Sequence, residues 1–269
     1  MKIDLHGKTH PEGLELIEEY MLLNSTKGSV SLTVITGNSP VMQKKIVEQI
    51  CDKHGWLMIA DEVLTGLGRT AEMWGMDHYE VIPDMLIVGK NLSGGIAPCA
   101  GVATRDEILG NNPSASSGST FAGTPAGCAA GLKTLEIYKR DKVIDHAKKL
   151  AQIAKLRMEP WCEKYSIVSE TRQLGLLMGI SFNLPDSLAS SDKYDDSFVA
   201  RTVRDYMLRN GVWAICDSES TVRMYPALNM NENVFREAFD IIEDAIITVE
   251  SGSELVGDYP AIPTGVTGF

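Results

Sequence analysis

The sequence predicts an α/β protein whose first part contains a mostly parallel sheet and whose last part is a smaller α+β domain. Two observations lead to this prediction. Short apolar runs at 56–60 and 85–89 are bounded by polar residues, which is typical of strands buried on both faces. After residue 140, segments with helical and strand-like periodicity are mixed, which indicates a second domain.

Composition limits the classes of partner. The 269 residues are 44% hydrophobic and 23% charged, as expected for a soluble globular chain of about two domains. A net charge of −11 disfavours nucleic acids and anionic membranes, because both repel an acidic chain. Five scattered cysteines without a CxxC pair indicate neither a disulfide framework nor a metal site. Without a signal-peptide pattern or a membrane span, the sequence predicts a cytoplasmic protein.

The first 140 residues are predicted to alternate strands and helices. Gly55 should end a helix in the left-handed conformation, and Thr124 with Pro125 should start one that runs to about 139. A polar loop is predicted at 111–124. The remaining predicted elements are strands at 1–5, 30–35, 56–60, 85–89 and 98–104, and helices at 11–24 and 41–54.

A long helix at 141–164 is expected to lead into the second domain. Beyond it we predict strands near 166–170, 174–182, 212–216 and 221–225, helices near 195–209 and 231–249, and a loose tail from Ser251. The predicted domain boundaries are 1–50, 51–140, 141–252 and 253–269.

An acid and a lysine follow two of the predicted parallel strands. Asp61 comes directly after 56–60 and Lys90 after 85–89, at about the spacing of a βαβ unit. Open α/β sheets bind ligands at this edge, where a lysine can form an imine and a carboxylate can hold a pyridine nitrogen protonated. From these residues alone, a solvated strand-edge lysine and a turn aspartate remain the commoner alternatives.

Three longer stretches contain these residues: CDKHGWLMIADEVLTGLGRT (51–70), PDMLIVGKNLSGG (83–95) and GSTFAGTPAGCAA (118–130). Their sequence, order and spacing resemble the class III (omega) aminotransferases of fold type I, over about residues 50–250. The resemblance implies a truncated fold type I large domain followed by a small α+β domain. It also implies a pyridoxal 5'-phosphate (PLP)-dependent transaminase, which transfers an amino group from an amine or amino acid to a 2-oxo acid.

The resemblance assigns roles to individual residues. Lys90 corresponds to the Schiff-base lysine and Asp61 to the carboxylate at the ring nitrogen, while Val63 would pack on the ring. Thr120 would contact the cofactor phosphate of a neighbouring subunit, which implies a homodimer. Arg223, in VRMYP (222–226), matches an arginine that binds a substrate carboxylate, although a salt-bridged strand arginine is an equal alternative.

Position 64 departs from many members of the family, which have a glutamine there that would touch the cofactor hydroxyl. Leu64 cannot donate that hydrogen bond, although other members also carry apolar residues at this position. We therefore expect Leu64 to change the cofactor electronics or the substrate preference relative to members with glutamine.

The first 50 residues do not fit this family, because they contain no phosphate-binding loop, no ring-stacking aromatic residue and no acidic motif. Instead IDLHG (3–7) and VITGNS (34–39) resemble the start of a small MutS-related (Smr) domain, a module associated with nucleic-acid binding or nicking. That resemblance implies an active face with four residues: Asp4, His6, Thr36 and Gly37.

We therefore expect a fusion within the helix at 41–54, with strand 56–60 continuing the sheet that the first two strands begin. The alternative function is a nucleic-acid-binding or nuclease-like Smr module joined to a non-catalytic aminotransferase remnant. If the family's front half is absent, turnover should be impaired. The apolar sheet surface near 57–60 and 85–89 should then be partly exposed and prone to association.

Overall fold

A computed structural model describes residues 2–5, 7–25, 32–35, 44–110, 120, 122–185, 195–216 and 220–252. It divides into two compact units, Met1–Lys142 and Val143–Phe269. Among the described residues, none of the helices is long and apolar enough to cross a membrane. The predicted residues His6, Thr36 and Gly37, most of the predicted loop at 111–124 and the tail after residue 252 lie outside this part of the chain.

The first unit alternates short strands with helices and turns. Its described elements are β1 (Lys2–Asp4), α1 (His10–Ser25), β2 (Thr33–Ile35), a π-helical turn (Val47–Cys51), α2 (Asp52–His54), β3 (Ile59–Asp61), a 3₁₀ turn (Gly75–Tyr79), β4 (Met85–Val88), a second 3₁₀ turn (Lys90–Ser93), β5 (Gly101–Thr104), α3 (Asp106–Leu109) and α4 (Pro125–Arg140).

The strands at the start of the chain form a sheet of their own. β1 and β2 pair in parallel, and their apolar side chains pack with those of α1 and the following helical segment around a small core of Ile3, Leu5, Ile17, Ile46 and Ile50. Among the described strands, neither β1 nor β2 pairs with β3. The prediction that strand 56–60 continues their sheet is therefore wrong, because β3 pairs with β4 instead.

The helix predicted at 41–54 is present over residues 44–54 and joins this segment to the rest of the unit. Gly55 ends it at φ 65°, which confirms the predicted left-handed cap. Lys53 Nζ and His54 Nε2 each lie 2.6 Å from Glu18 Oε1, so two side chains connect α2 to α1.

The second sheet of this unit has the order β3–β4–β5. β3 and β4 are parallel, with Ala60 opposite Leu86, whereas β4 and β5 are antiparallel, with Ile87 opposite Val102. This mixed sheet confirms the α/β prediction. The strand expected at 56–60 begins only at Ile59, because the N–H of Met58 donates to Asp84 Oδ2 (2.7 Å) instead of to a neighbouring strand.

One region of this sheet is an exposed apolar surface. Leu57 is 52% exposed, and both Ile59 and Val102 are 51% exposed, whereas Ala60 is buried. β3 is an edge strand among the described residues. Exposed apolar surface near 57–60 is therefore present as predicted, while the residues of β4 are half-buried.

The second unit is an antiparallel sheet with helices. Its described elements are α5 (Val143–Met158), α6 (Trp161–Lys164), β6 (Val168–Leu174), β7 (Leu177–Phe182), α7 (Asp196–Arg209), β8 (Ile215–Cys216), β9 (Thr221–Met224) and α8 (Glu232–Glu250). The strand order is β6–β7–β9–β8, with antiparallel neighbours throughout.

Two predicted boundaries in this unit were wrong. The single helix expected at 141–164 is split into α5 and α6, because Pro160 has no N–H to continue the hydrogen-bond ladder. The strand expected to end at residue 170 continues to Leu174. It turns back through Gly175, whose φ of 61° suits a tight hairpin, and pairs with β7.

Glu243 on α8 connects three side chains of the second unit. Its carboxylate accepts hydrogen bonds from Lys164 Nζ (2.7 Å), the Tyr165 hydroxyl (2.7 Å) and Arg157 Nη2 (2.9 Å). Burial alone would raise the pKa of Glu243, but these three donors outweigh it and lower the pKa to about 2. Charge on Glu243 therefore stabilises the folded unit.

Stability of the second unit should depend on pH through Glu243. The pKa of Glu243 is lower in the folded protein than in the unfolded chain, where it is about 4.3. The stabilisation is therefore complete above that value and is lost as the pH falls toward 2. We expect the free energy of unfolding to decrease by about 2–3 kcal/mol over this range. We expect Glu243→Gln to destabilise the protein at pH 7 and to flatten this pH dependence. Urea unfolding at pH 7, 4 and 2.5 measures both effects. Glu237→Gln, at an exposed position of the same helix, is the control, and equal pH curves for the two variants would contradict the prediction.

Candidate active site

Asp61 and Lys90 lie at the same edge of the β3–β4–β5 sheet. β3 ends at Asp61, which is in register with Ile87, and β4 ends at Val88, two residues before Lys90. Because these strands are parallel, both side chains follow carboxyl ends of neighbouring strands, and both residues are exposed. This is the edge at which open α/β sheets bind ligands.

The turn after β3 fixes the carboxylate of Asp61. Its Oδ1 accepts a hydrogen bond from the N–H of Val63 at 3.1 Å. The N–H of Glu62 donates to the carbonyl of Ile87 at 2.9 Å, which extends the strand pairing one residue beyond Asp61. The side chain of Asp61 is thus held by its own turn.

Lys90 has an uncommon backbone conformation. Its φ is 43°, in the left-handed region that costs a non-glycine residue about 1–2 kcal/mol. Gly89 before it is buried, and a Cβ atom there would lie 3.6 Å from Cγ1 of Val63. Val63 therefore packs against the backbone that leads into Lys90. Strain of this kind concentrates at functional sites.

Helix α4 packs closely on the segment that follows Lys90. A Cβ atom at Gly127 would lie 2.9 Å from the carbonyl oxygen of Pro98, so only glycine fits without movement. Thr134 donates to the carbonyl of Ala130 within the helix, and its Oγ1 would lie 3.1 Å from a Cβ at Gly94. Small residues in α4 and in the facing segment thus allow a close approach.

The other residues singled out from the sequence do not share one location. Thr120 is exposed in the first unit, and Leu64 is 39% exposed directly after Val63. Arg223 belongs to the second unit, where it is half-buried on β9 with Gly179 of β7 and Ile215 of β8 on either side.

The chemistry of these residues fits PLP. A carboxylate can hold a protonated pyridine nitrogen, an exposed primary amine can bond to an aldehyde, and an apolar side chain can cover a ring face. Asp61, Lys90 and Val63 provide these three groups within one strand-end region.

Glu62 is a further residue of this region, and no role was predicted for it from the sequence. It is 3% exposed, and its carboxylate accepts from the N–H of Gly75 (2.9 Å), the N–H of Met76 (2.8 Å) and Oγ1 of Thr65 (2.5 Å). Because Gly75 and Met76 are 13 and 14 residues away, no local pattern in the sequence marks these contacts of Glu62.

Comparison with known proteins identifies a family for this chain. The family model for class-III aminotransferases matches residues 38–246, a span that begins inside the segment expected to resemble Smr. The mitochondrial ornithine aminotransferase of Drosophila melanogaster is 34% identical over 205 residues, covering 76% of this chain and 44% of the relative.

Solved structures agree. Acetylornithine aminotransferase from Elizabethkingia anophelis has a TM-score of 0.74 and 29% identity over 87% of this chain and 58% of its own. Ornithine aminotransferase from Toxoplasma gondii, with PLP at partial occupancy in its active site, has a TM-score of 0.74 and 27% identity, over 89% of this chain and 55% of its own. The chain spans about half the length of the relatives it matches.

Proposed function

The chain belongs to the class-III aminotransferases, and we propose that it acts as a PLP-dependent transaminase, moving an amino group from an amine or amino acid to a 2-oxo acid. The placement of Asp61 and Lys90 at neighbouring carboxyl ends of parallel strands carries this proposal. The chain spans about half the length of its relatives. That this chain carries out the complete transamination reaction is therefore proposed.

The proposal gives each residue of the strand-end region a task. Lys90 Nζ would hold PLP by a covalent bond to its aldehyde carbon, and Asp61 would accept a hydrogen bond from the ring nitrogen. Val63 would cover one face of the ring. Bound PLP supplies an electron sink for the bonds of the substrate Cα. Once its amine is free, Lys90 would take the proton from that carbon as a general base.

Arg223 of the second unit and Thr120 of the first unit have the further proposed roles that the family resemblance implies. A guanidinium can bind a carboxylate through two parallel hydrogen bonds, so Arg223 would select substrates that carry a carboxylate. Exposed Thr120 would bind the cofactor phosphate of a second copy, which makes the proposed enzyme a homodimer. We also propose a cytoplasmic location, from the sequence pattern alone.

The test is an absorption spectrum of the full chain titrated with PLP, before and after borohydride reduction. We expect a near-visible band that differs from free PLP and disappears on reduction. Peptide mass mapping should then find the reduced adduct on Lys90. A spectrum equal to that of free PLP at every protein concentration would contradict the proposal.

A second function remains a proposal for the start of the chain. β1, α1 and β2 form a parallel β–α–β arrangement, which is compatible with the start of an Smr-like module. Such a module would bind DNA or RNA, and its affinity would fall steeply with salt. The net charge of −11 opposes this function. Gel-shift titration at two salt concentrations tests it, and absence of binding at low salt would exclude it.

A further inference from the structure

Glu62 connects the end of β3 to residues 13 and 14 positions later in the chain. One carboxylate oxygen, Oε2, accepts from the N–H of Gly75 and from Oγ1 of Thr65, and the other, Oε1, accepts from the N–H of Met76. A buried carboxylate is costly unless it is hydrogen-bonded, and these three donors satisfy both of its oxygens. We name this arrangement, Glu62 with Thr65, Gly75 and Met76, the Glu62 clamp.

The backbone around the clamp leaves little room for adjustment. A Cβ atom at Gly66 would lie 2.7 Å from the carbonyl oxygen of Glu62, and one at Gly75 would lie 3.1 Å from Glu62 Oε2. The N–H of Gly66 also donates to the carbonyl of Glu62 at 3.0 Å. Gly75 thus permits the close approach of the Glu62 carboxylate, and Gly66 permits that of the Glu62 backbone carbonyl.

The clamp is joined to Asp61 by one side-chain contact and by the short chain segment between Glu62 and Thr65. Thr65 Oγ1, which binds the Glu62 carboxylate, also lies 3.5 Å from the carbonyl oxygen of Asp61. Val63, between them in the chain, donates its N–H to Asp61 Oδ1. A displacement of Glu62 or Thr65 would therefore move the turn that holds the Asp61 carboxylate and the Val63 side chain.

We propose that Glu62 and Thr65 are positioning residues, which fix Asp61 and Val63 for PLP through the Glu62 clamp. This inference rests on the function proposed above, because the turn that the clamp fixes carries Asp61 and Val63 of the proposed PLP site. Neither residue has to touch the cofactor. Side chains that are already ordered lose less conformational entropy when the cofactor binds. A fixed turn therefore favours cofactor affinity.

The chain offers variants that separate positioning from folding. In Glu62→Gln, one oxygen becomes an NH₂ group, so the N–H of either Gly75 or Met76 faces a donor instead of an acceptor. Thr65→Val removes the hydroxyl and keeps the side-chain shape, whereas Thr65→Ser keeps the hydroxyl. Glu80→Gln is the matched control, because Glu80 is 82% exposed beyond the same loop.

The first measurement is residue-resolved amide hydrogen exchange without PLP. In Glu62→Gln and Thr65→Val, we expect exchange at Val63, whose N–H binds Asp61, to rise by roughly tenfold, the effect of losing about one hydrogen bond's stabilisation. Thr65→Ser and Glu80→Gln should keep the rates of the unmodified protein. Faster exchange confined to Gly75 and Met76, with Val63 unchanged, would overturn the positioning role.

The second measurement is the dissociation constant for PLP in the same variants. Glu62→Gln and Thr65→Val should weaken binding by roughly tenfold, as expected when a preorganised turn becomes mobile, while borohydride labelling stays on Lys90. Unchanged affinity in both variants would overturn the proposal. Absence of any borohydride-trapped adduct in the unmodified protein would instead overturn the proposed function, while exchange at Val63 would still decide whether the clamp fixes Asp61.

Discussion

Replacing Lys90 by alanine is expected to abolish covalent attachment of PLP, which is the largest functional effect in this chain. A Schiff base requires a primary amine, and Lys90 is exposed at the sheet edge beside the turn of Asp61. Lys90→Arg tests the same point with the cation retained, because a guanidinium stays protonated and cannot attack the aldehyde. Both variants should lose the borohydride-trapped adduct, as measured by absorption and by the mass of the intact protein.

The control for these variants is another lysine of the first unit. Lys139→Ala changes an exposed position near the end of α4 and should leave the trapped adduct in place. Surface lysines react slowly and unselectively with aldehydes, so labelling spread over many lysines, and equally strong in Lys90→Ala, would mean that no cofactor site is formed. Labelling concentrated on one other lysine would transfer the proposed role to that residue.

The sequence could predict where Asp61 and Lys90 lie because the signal is local. Each residue directly follows an apolar run, and runs of that kind become neighbouring strands when a crossover separates them. Gly55 and the Thr124–Pro125 pair are likewise local signals, and the helix ends that they predicted are present.

The features that were missed depend on contacts between distant residues. Whether β1 and β2 share a sheet with β3 depends on pairing between strands that are distant in sequence, and periodicity carries no information about that choice. Glu62 was missed for the same reason, because its partners at Gly75 and Met76 are remote in sequence. The extension of β6 to Leu174 is stabilised by pairing with β7 and has no marker in its own polar sequence.

Trp161→Ala is expected to cause the largest loss of stability in the second unit. Trp161 is fully buried, and its ring centroid lies 5.9 Å from that of Phe239, which in turn lies 5.1 Å from Phe235. Truncating a buried tryptophan removes its apolar contacts and leaves a cavity, at a cost of about 3–5 kcal/mol. Domains are typically stable by about 5–15 kcal/mol, so this substitution should bring the unit close to unfolding at moderate temperature.

A matched control is available in the same unit. Trp213 is 74% exposed, so Trp213→Ala should change the free energy of unfolding by no more than about 0.5 kcal/mol. Denaturant unfolding of the full chain, followed by far-UV circular dichroism, measures both variants, and any transition of the first unit should stay at the same denaturant concentration. Because the two substitutions remove the same side chain, equal losses of stability would show that the aromatic core around Trp161 and Phe239 does not hold the second unit together.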